Sequence, residues 1–401
     1  MLIVSPPDTR QKIELLSREA CFDLAGPEEG CGSASGWDTP AAEALARHAE
    51  PSRAARGTLL KVLLSDACQN SCRYCAFRAG ADRHRNAFRP EELAAAYAEM
   101  YRRGRAGGLF LSSGLAGNPR RTMEEMLRTA EILRHRYHYP GYLHLKILPG
   151  ATDDYVEAAC RLADRVSANL EAPNLERLAA LCPEKQFDED LLAPLKKVER
   201  IRRQGPVLPY GQTTQFVVGA AGESDRELLE TTGRLYAEVN LTRAYFSAFR
   251  PVAGTPLEDR AATPPVRQRR LYQADALLRQ YGFSPSEIPM DAEGNLLHDR
   301  DPKLEWARRH PERFPVEVNR ASREELLRVP GIGPRGAAAI SKARRAGKLS
   351  SPEALKALSI SLSRAGPFLL VNGRGLPAEA SVQGRLWLER DQESGGASTS
   401  A

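Results

Sequence analysis

Cys68, Cys72 and Cys75 lie within eight residues, in the segment SDACQNSCRYCAFR, with the spacing C-x3-C-x2-C. Thiolates are the preferred protein ligands of iron–sulfur clusters and also bind zinc. Three thiols can hold three corners of a [4Fe–4S] cube. The fourth iron is then open to a chelating substrate. A structural zinc site normally uses four protein ligands, so zinc on the trio plus His84 is the competing reading. The chain has seven cysteines, an odd count that argues against a disulfide framework. Cys21 and Cys31 are candidates for a second cluster or a radical partner, and Cys160 and Cys182 read as buried free thiols.

The elements that must position this trio alternate strand and helix. Thr58–Ser65, mostly apolar, reads as a buried strand running directly into the cysteines. Further strands are expected at Gly108–Ser112, Tyr142–Ile147, Arg165–Glu171, Gln212–Gly219 and Thr242–Phe249. Helical patterns follow them: Pro90 to Gly104, a helix opened by Thr122 and Glu125, Asp153–Ala163, Asp188–Gln204, a helix capped by Ser224 and Glu227, and Pro265–Tyr281. A further short helix is expected at Gln11–Cys21, ahead of a loop. Six such units imply a parallel α/β sheet, as an open doubly wound sheet or an incomplete barrel. In either case ligands gather at the carboxyl ends of the strands, which is where the trio falls.

The cysteine loop resembles that of the radical S-adenosylmethionine (radical SAM) superfamily, in which an aromatic residue usually precedes the last cysteine, here Tyr74. The resemblance covers about residues 57–283. It implies a partial (β/α)6 TIM-like barrel, a [4Fe–4S] cluster held by Cys68, Cys72 and Cys75, and S-adenosylmethionine (SAM) as the second cofactor. An electron from a donor such as flavodoxin or ferredoxin would cleave SAM to a 5′-deoxyadenosyl radical that takes a hydrogen atom from substrate. Where the family often carries Gly-Gly-Glu after its second strand, this chain has Ser112, Ser113 and Gly114. No acid follows, so amino-group recognition rests on backbone carbonyls and the serines. Asn169 and Glu171 match the ribose position, Gly219 begins a loop resembling the adenine support, and Arg250 opens the loop after the sixth strand. Lys146, alternating with His144 on the third strand, is a candidate SAM or substrate contact, as are Tyr210 and Tyr245.

Residues 319–345 (NRASREELLRVPGIGPRGAAAISKARR) resemble the helix–hairpin–helix motif of DNA-binding proteins that do not read sequence. Ser322 and Glu325 form a capping box, and Gly331, Ile332 and Gly333 form a tight hairpin before a second helix. Such a hairpin suits a phosphate, because backbone N–H groups and a helix N-terminus face an anion. Arg335, Lys342 and Arg344 add positive charge. Together with LFLSSG, YLHLK, YQADALLRQYGF and DPKLEWARRHPERFPVEVNRA, the chain closely resembles over residues 10–375 a bacterial family described as DNA modification or repair radical SAM proteins. The expectation is an enzyme acting on a nucleotide in DNA. A small metabolite or RNA as substrate is an alternative, as is a cluster-based nucleic-acid sensor without turnover.

The organisation expected is an N-terminal extension (1–56), the barrel (57–283), a linker or packing arm (284–315), a small all-α helix–hairpin–helix domain (316–375) and a Ser/Gly-rich tail (376–401). Composition agrees with a globular protein of two or three domains: 401 residues, 42% hydrophobic, 27% charged, net charge +6. That charge permits nucleic-acid binding without arguing for it. No run approaches the roughly 20 apolar residues of a membrane helix. MLIVSPPDTRQKIELL lacks the pattern of a secretory signal, so a cytoplasmic location is expected.

Overall fold

The computed structural model describes residues 7–20 and 59–376. The expectations for Cys21, Cys31, the loop before the first strand and the tail beyond residue 376 lie outside them. The described residues fall into two compact units, divided between Tyr272 and Gln273. No helix among them is long and apolar enough to cross a membrane.

Six strands form the first unit's sheet: β1 (Leu59–Leu63), β2 (Gly108–Ser112), β3 (Tyr142–Lys146), β4 (Arg165–Ser167), β5 (Gln212–Val218) and β6 (Arg243–Ala248). They are all parallel and ordered β1 to β6 as in the sequence, a half-barrel. The register separates the two faces. Val62, Leu109, Leu111, Leu143, Leu145, Val166, Phe216 and Phe246 lie on one and are almost wholly buried. The other face is polar. Lys61, Phe110, His144 and Arg165 stand side by side across β1 to β4. One pleat further, Lys146 pairs with Ser167, Ser167 with Thr213, and Thr213 with Arg243. No barrel strand contains an Asp or Glu.

Helices connect the strands: α2 (Pro90–Arg102), α3 (Pro119–Glu131), α4 (Asp153–Leu162), α5 (Leu175–Leu181), α6 (Ala193–Gln204) and α7 (Asp225–Glu238), after an N-terminal α1 (Thr9–Glu19). Gly104, at φ 69°, stops α2. Ser224 and Glu227 form the expected capping box of α7. Thr122 does not open α3. Asn118 caps that helix by accepting from Arg120 N–H, Pro119 takes the first turn, and Thr122 lies inside, donating to the Asn118 carbonyl. The helix expected at Asp188–Gln204 begins as a π-helical turn over Phe187–Leu192 and continues as α6. Helix α5 was not expected.

A long helix, α8 (Pro265–Tyr281), crosses the boundary. The second unit holds α9 (Pro302–Arg309), α10 (Arg323–Arg328), α11 (Pro334–Ala346), α12 (Pro352–Ala357) and α13 (Leu362–Ala365). A small sheet of β7 (Val316–Glu317), β8 (Leu369–Val371) and β9 (Arg374–Gly375) accompanies them. Residues 284–315, read as an arm from their prolines, carry α9 and the fully buried Trp306, which packs edge-on against Phe283 at 5.2 Å and stacks on His310 at 4.4 Å.

Candidate functional site

The loop after β1 is held by backbone more than by side chains. Leu64 N–H donates to the Ser112 carbonyl, Gln69 N–H to Leu115, Arg73 N–H to Leu181 and Ala79 N–H to Asn70, all at 2.8 Å. Arg85 closes the loop from behind. Its guanidinium donates to the carbonyls of Asp66 (2.8 Å), Phe77 (3.1 Å) and Arg78 (2.9 Å). The buried Asp66 carboxylate accepts from Asn86 N–H at 2.7 Å.

The end of β2 abuts this loop. Gly114 N–H donates to the Ser65 carbonyl at 2.7 Å. A Cβ on Gly114 would press into the Ala67 peptide and lie 3.3 Å from Cys68 Cβ. Gly114 is therefore required for close approach of backbone to backbone. Ser113 Oγ donates to the Gly114 carbonyl, and Ser112 is buried beneath it.

Cys68 and Cys75 are half-buried and Cys72 is buried. Phe77 N–H donates to Cys75 Sγ at 3.4 Å. Burial pushes the Cys75 thiol up to about 12, so metal binding there must displace a proton. Cys72 is held down at about 7 by a hydrogen bond from Cys182 and, against its burial, by the Lys185 ammonium. The trio shares one loop, and both Cys72 and Cys68 act on the Cys75 thiol, while among the described residues no three His, Cys, Asp or Glu side chains are grouped to hold a single metal ion. The donor set fits an iron–sulfur cluster better than zinc, because His84, the rival fourth ligand, is exposed to solvent. Tyr74 is half-buried, its phenol raised by burial and by the Glu171 carboxylate.

A residue that sequence reasoning missed, Lys185, completes this corner with Glu171. Lys185 and Glu171 form a buried ion pair at 3.3 Å, each under 10% exposed. Burial opposes the Lys185 charge, but Cys72 and Glu171 outweigh it and raise the ammonium well above its usual value. Cys182, read as an inert core thiol, sits beside Cys72. The loop between α5 and α6 thus docks on the cysteine loop, also through Ser71, which bonds the Glu184 carboxylate. The sequence signal was a lysine within a loop 14 residues beyond the acid at the end of β4.

The other expected residues divide. Asn169 is buried beyond β4, which ends at Ser167 rather than at Glu171 as expected, and Glu171, at φ 63°, forms an isolated bridge to Phe216. Gly219, at φ 90°, passes against Thr263, and the Glu223 carboxylate ties down its N–H and that of Ala221. Lys146 is half-buried at the end of β3, and Arg250 is exposed beyond β6. His144 is buried. Its Nε2 lies 2.9 Å from Ser167 Oγ, and its ring meets Phe110 edge-on at 4.5 Å. Burial, with Arg165, Lys61 and Lys146 around it, holds the imidazole well below its usual pKa, hence neutral.

In the second unit, Gly331 takes φ 82° and Gly333 caps α11. A Cβ on Gly331 would lie 2.9 Å from Arg364 Cβ, so this glycine serves the packing of the unit as well as the turn. Ile332 is buried, and its carbonyl accepts from the buried Lys303 ammonium at 2.6 Å. Arg335 and Lys342 are exposed, whereas Arg344 donates to the Val318 and Ala321 carbonyls and acts within the fold. A second helical pair repeats the design. Ser359 (φ 60°), Ile360 and Ser361 join α12 to α13 where the first hairpin has Gly331, Ile332 and Gly333. Serines replace both glycines there.

Residues 62–235 match the radical SAM superfamily, and residues 313–359 match a helix-hairpin-helix motif. The chain carries a radical SAM domain. Enzymes of that superfamily use a [4Fe–4S] cluster and SAM. Among solved structures it is similar to HydG, a maturase of the [FeFe]-hydrogenase (13% identity, TM-score 0.43), covering 55% of this chain and 49% of that one. HydG from Carboxydothermus hydrogenoformans gives 16% identity, TM-score 0.44 and coverage of 55% and 51%. Methylornithine synthase (PylB) gives 15%, 0.43, and 55% and 61%. The chain thus spans about half to three fifths of the length of these structures.

Proposed function

We propose that the radical SAM domain modifies or repairs a nucleotide in DNA. The observation that carries this reading is the glycine hairpin at the start of the 13-residue helix α11, on the same chain as the cysteine loop. The α11 N-terminus and the exposed Arg335 and Lys342 supply anion contacts that position a duplex without reading its sequence.

In this reading Cys68, Cys72 and Cys75 hold the cluster. When bound, the cluster and SAM supply a 5′-deoxyadenosyl radical for hydrogen abstraction. Ser112, Ser113 and the Gly114 carbonyl meet the SAM amino group. Asn169 and Glu171 face the ribose, and the loops at Gly219 and Arg250 line the adenine. Lys185, fixed by Glu171 beside Cys72, places a buried positive charge where the methionine carboxylate needs one. Flavodoxin or ferredoxin supplies the electron.

The test is 5′-deoxyadenosine formation by anaerobically reconstituted protein with SAM and dithionite, alone and with DNA, tRNA or a metabolite extract. DNA should stimulate cleavage. Arg335→Ala and Lys342→Ala should each weaken DNA binding and lower its logarithmic salt slope by about one. Stimulation by the metabolite fraction alone would sink the DNA reading.

A further inference from the structure

Cys72 and Cys182 are brought together by backbone. Arg73 N–H donates to the Leu181 carbonyl at 2.8 Å, and Ser71 N–H to the Glu184 carboxylate at 3.2 Å. As residue number rises along one segment it falls along the other, so Cys72 and Cys182 lie between these two ties. Cys182 is further fixed at the end of α5, where its N–H donates to the Leu178 carbonyl at 2.7 Å and its carbonyl accepts from Lys185 N–H at 3.1 Å. Cys182 is fully buried and Cys72 is 6% exposed, so little water competes for the hydrogen bond between their side chains. The charged groups around Cys72 are Lys185, Glu171 and Glu184. Lys185 is paired with Glu171 at 3.3 Å, and their fields on Cys72 oppose each other. Glu184 is exposed and bonded to Ser71. Cys182 is the neutral donor in contact with this sulfur.

A cysteine binds iron as its thiolate, so a ligating Cys72 has no proton to give and can only accept. Cys182 must then be the donor. We infer that Cys182 sets the reduction potential of the cluster by donating its S–H to Cys72 Sγ. A hydrogen bond draws negative charge away from the ligand sulfur. The reduced cluster carries one more negative charge than the oxidised one, so it gains more from the bond, and the potential rises. A higher potential eases electron entry from flavodoxin or ferredoxin. The bond also holds the Cys72 sulfur in one orientation, as partners of metal ligands commonly do. Cys182 acts through Cys72 and is a positioning residue. This role rests on Cys72 ligating the cluster, as proposed above, and on no particular substrate.

The experiment is potentiometric titration of the reconstituted full chain, followed by the electron paramagnetic resonance signal of the reduced cluster. Iron and sulfide content is matched between variants. Cys182→Ala should lower the midpoint potential by a tenfold change in the reduction equilibrium or more, about 59 mV for one electron. Cys182→Ser, which keeps an O–H donor, should fall between alanine and wild type. An unchanged midpoint in fully loaded Cys182→Ala, with Cys72→Ala unable to load, would overturn the role of Cys182 alone. Full cluster loading by Cys72→Ala would instead remove Cys72 from the ligand set, and the role of Cys182 with it. A second measurement needs no alanine variant. Loading turns Cys72 into a stronger acceptor, so the infrared S–H stretch of Cys182 should move to lower frequency in the wild type, and Cys182→Ser should remove that band. A loaded wild type with no such band also overturns the inference.

Discussion

Gly114→Ala isolates the contact that sets the cysteine loop against β2. Gly114 does not occupy the left-handed region, so alanine brings no backbone strain of its own. The entire penalty is steric. The new methyl carbon would lie 2.9 Å from the Ala67 carbonyl carbon, closer still to its oxygen, and 3.3 Å from Cys68 Cβ. Two of these atoms are backbone and cannot rotate away, so the loop must shift. Overpacking of this kind costs about 1–3 kcal/mol. The shift falls on the peptide preceding Cys68, so iron loading should fall along with stability. Gly117→Ala is the matched control. Gly117 sits at φ 80° with nothing near its missing Cβ, so alanine there costs about 1–2 kcal/mol of backbone strain and leaves the cysteines in place. The assay is iron and sulfide content per chain after anaerobic reconstitution, with melting temperature on the same samples. Equal loading in the two variants would refute the reasoning.

Lys185→Met should cost about 3–5 kcal/mol in chemical denaturation, because it leaves Glu171 buried without its cation; adding Glu171→Gln should recover part of the loss. Cys72→Ala should abolish cluster loading, while Cys182→Ala should load iron normally, as judged by iron content and visible absorbance. Burial pushes the Lys303 ammonium from 10.5 down to about 7. Between those values the unfolded chain binds more protons than the folded one, so this contribution to stability grows as pH rises from about 7 to about 10 and is lost as pH falls through 7. Lys303→Met should flatten that part of the melting-temperature profile.

The barrel was legible because its strands are short apolar runs closed by turn residues, and because the cysteines follow the first of them. The alternation of His144 and Lys146 with leucines also gave β3 its polar face. Register was not legible. Nothing local says that Lys61 stands beside Phe110, or Arg165 beside His144, since pairing is decided between strands distant in sequence. For the same reason Cys182 read as an isolated thiol and Lys185 was passed over. Their meaning comes from α5, a seven-residue helix too short for a periodic signal, which carries them to the cysteine loop. Thr122 and Glu125 matched a capping box by spacing, but Asn118 and Pro119, four and three residues earlier, are a stronger start and took the cap.

The end of β2 shows which contacts persist where the chain departs from a family pattern. The acid absent after Gly114 would have been one side-chain ligand. What the structure preserves there is backbone: the Gly114 N–H on the Ser65 carbonyl, the Ser112 carbonyl on Leu64 N–H, and a bare Cα against Ala67. These contacts fix where the Gly114 carbonyl points whatever residue follows. Ser113, bonded to that same carbonyl, biases its orientation further. The same economy holds on the far side of the loop, where Arg85 grips four backbone carbonyls, those of Asp66, Phe77, Arg78 and Ala81. Residues that only hold backbone cannot be recognised from their chemistry in a sequence, and here they carry the geometry of the cysteines.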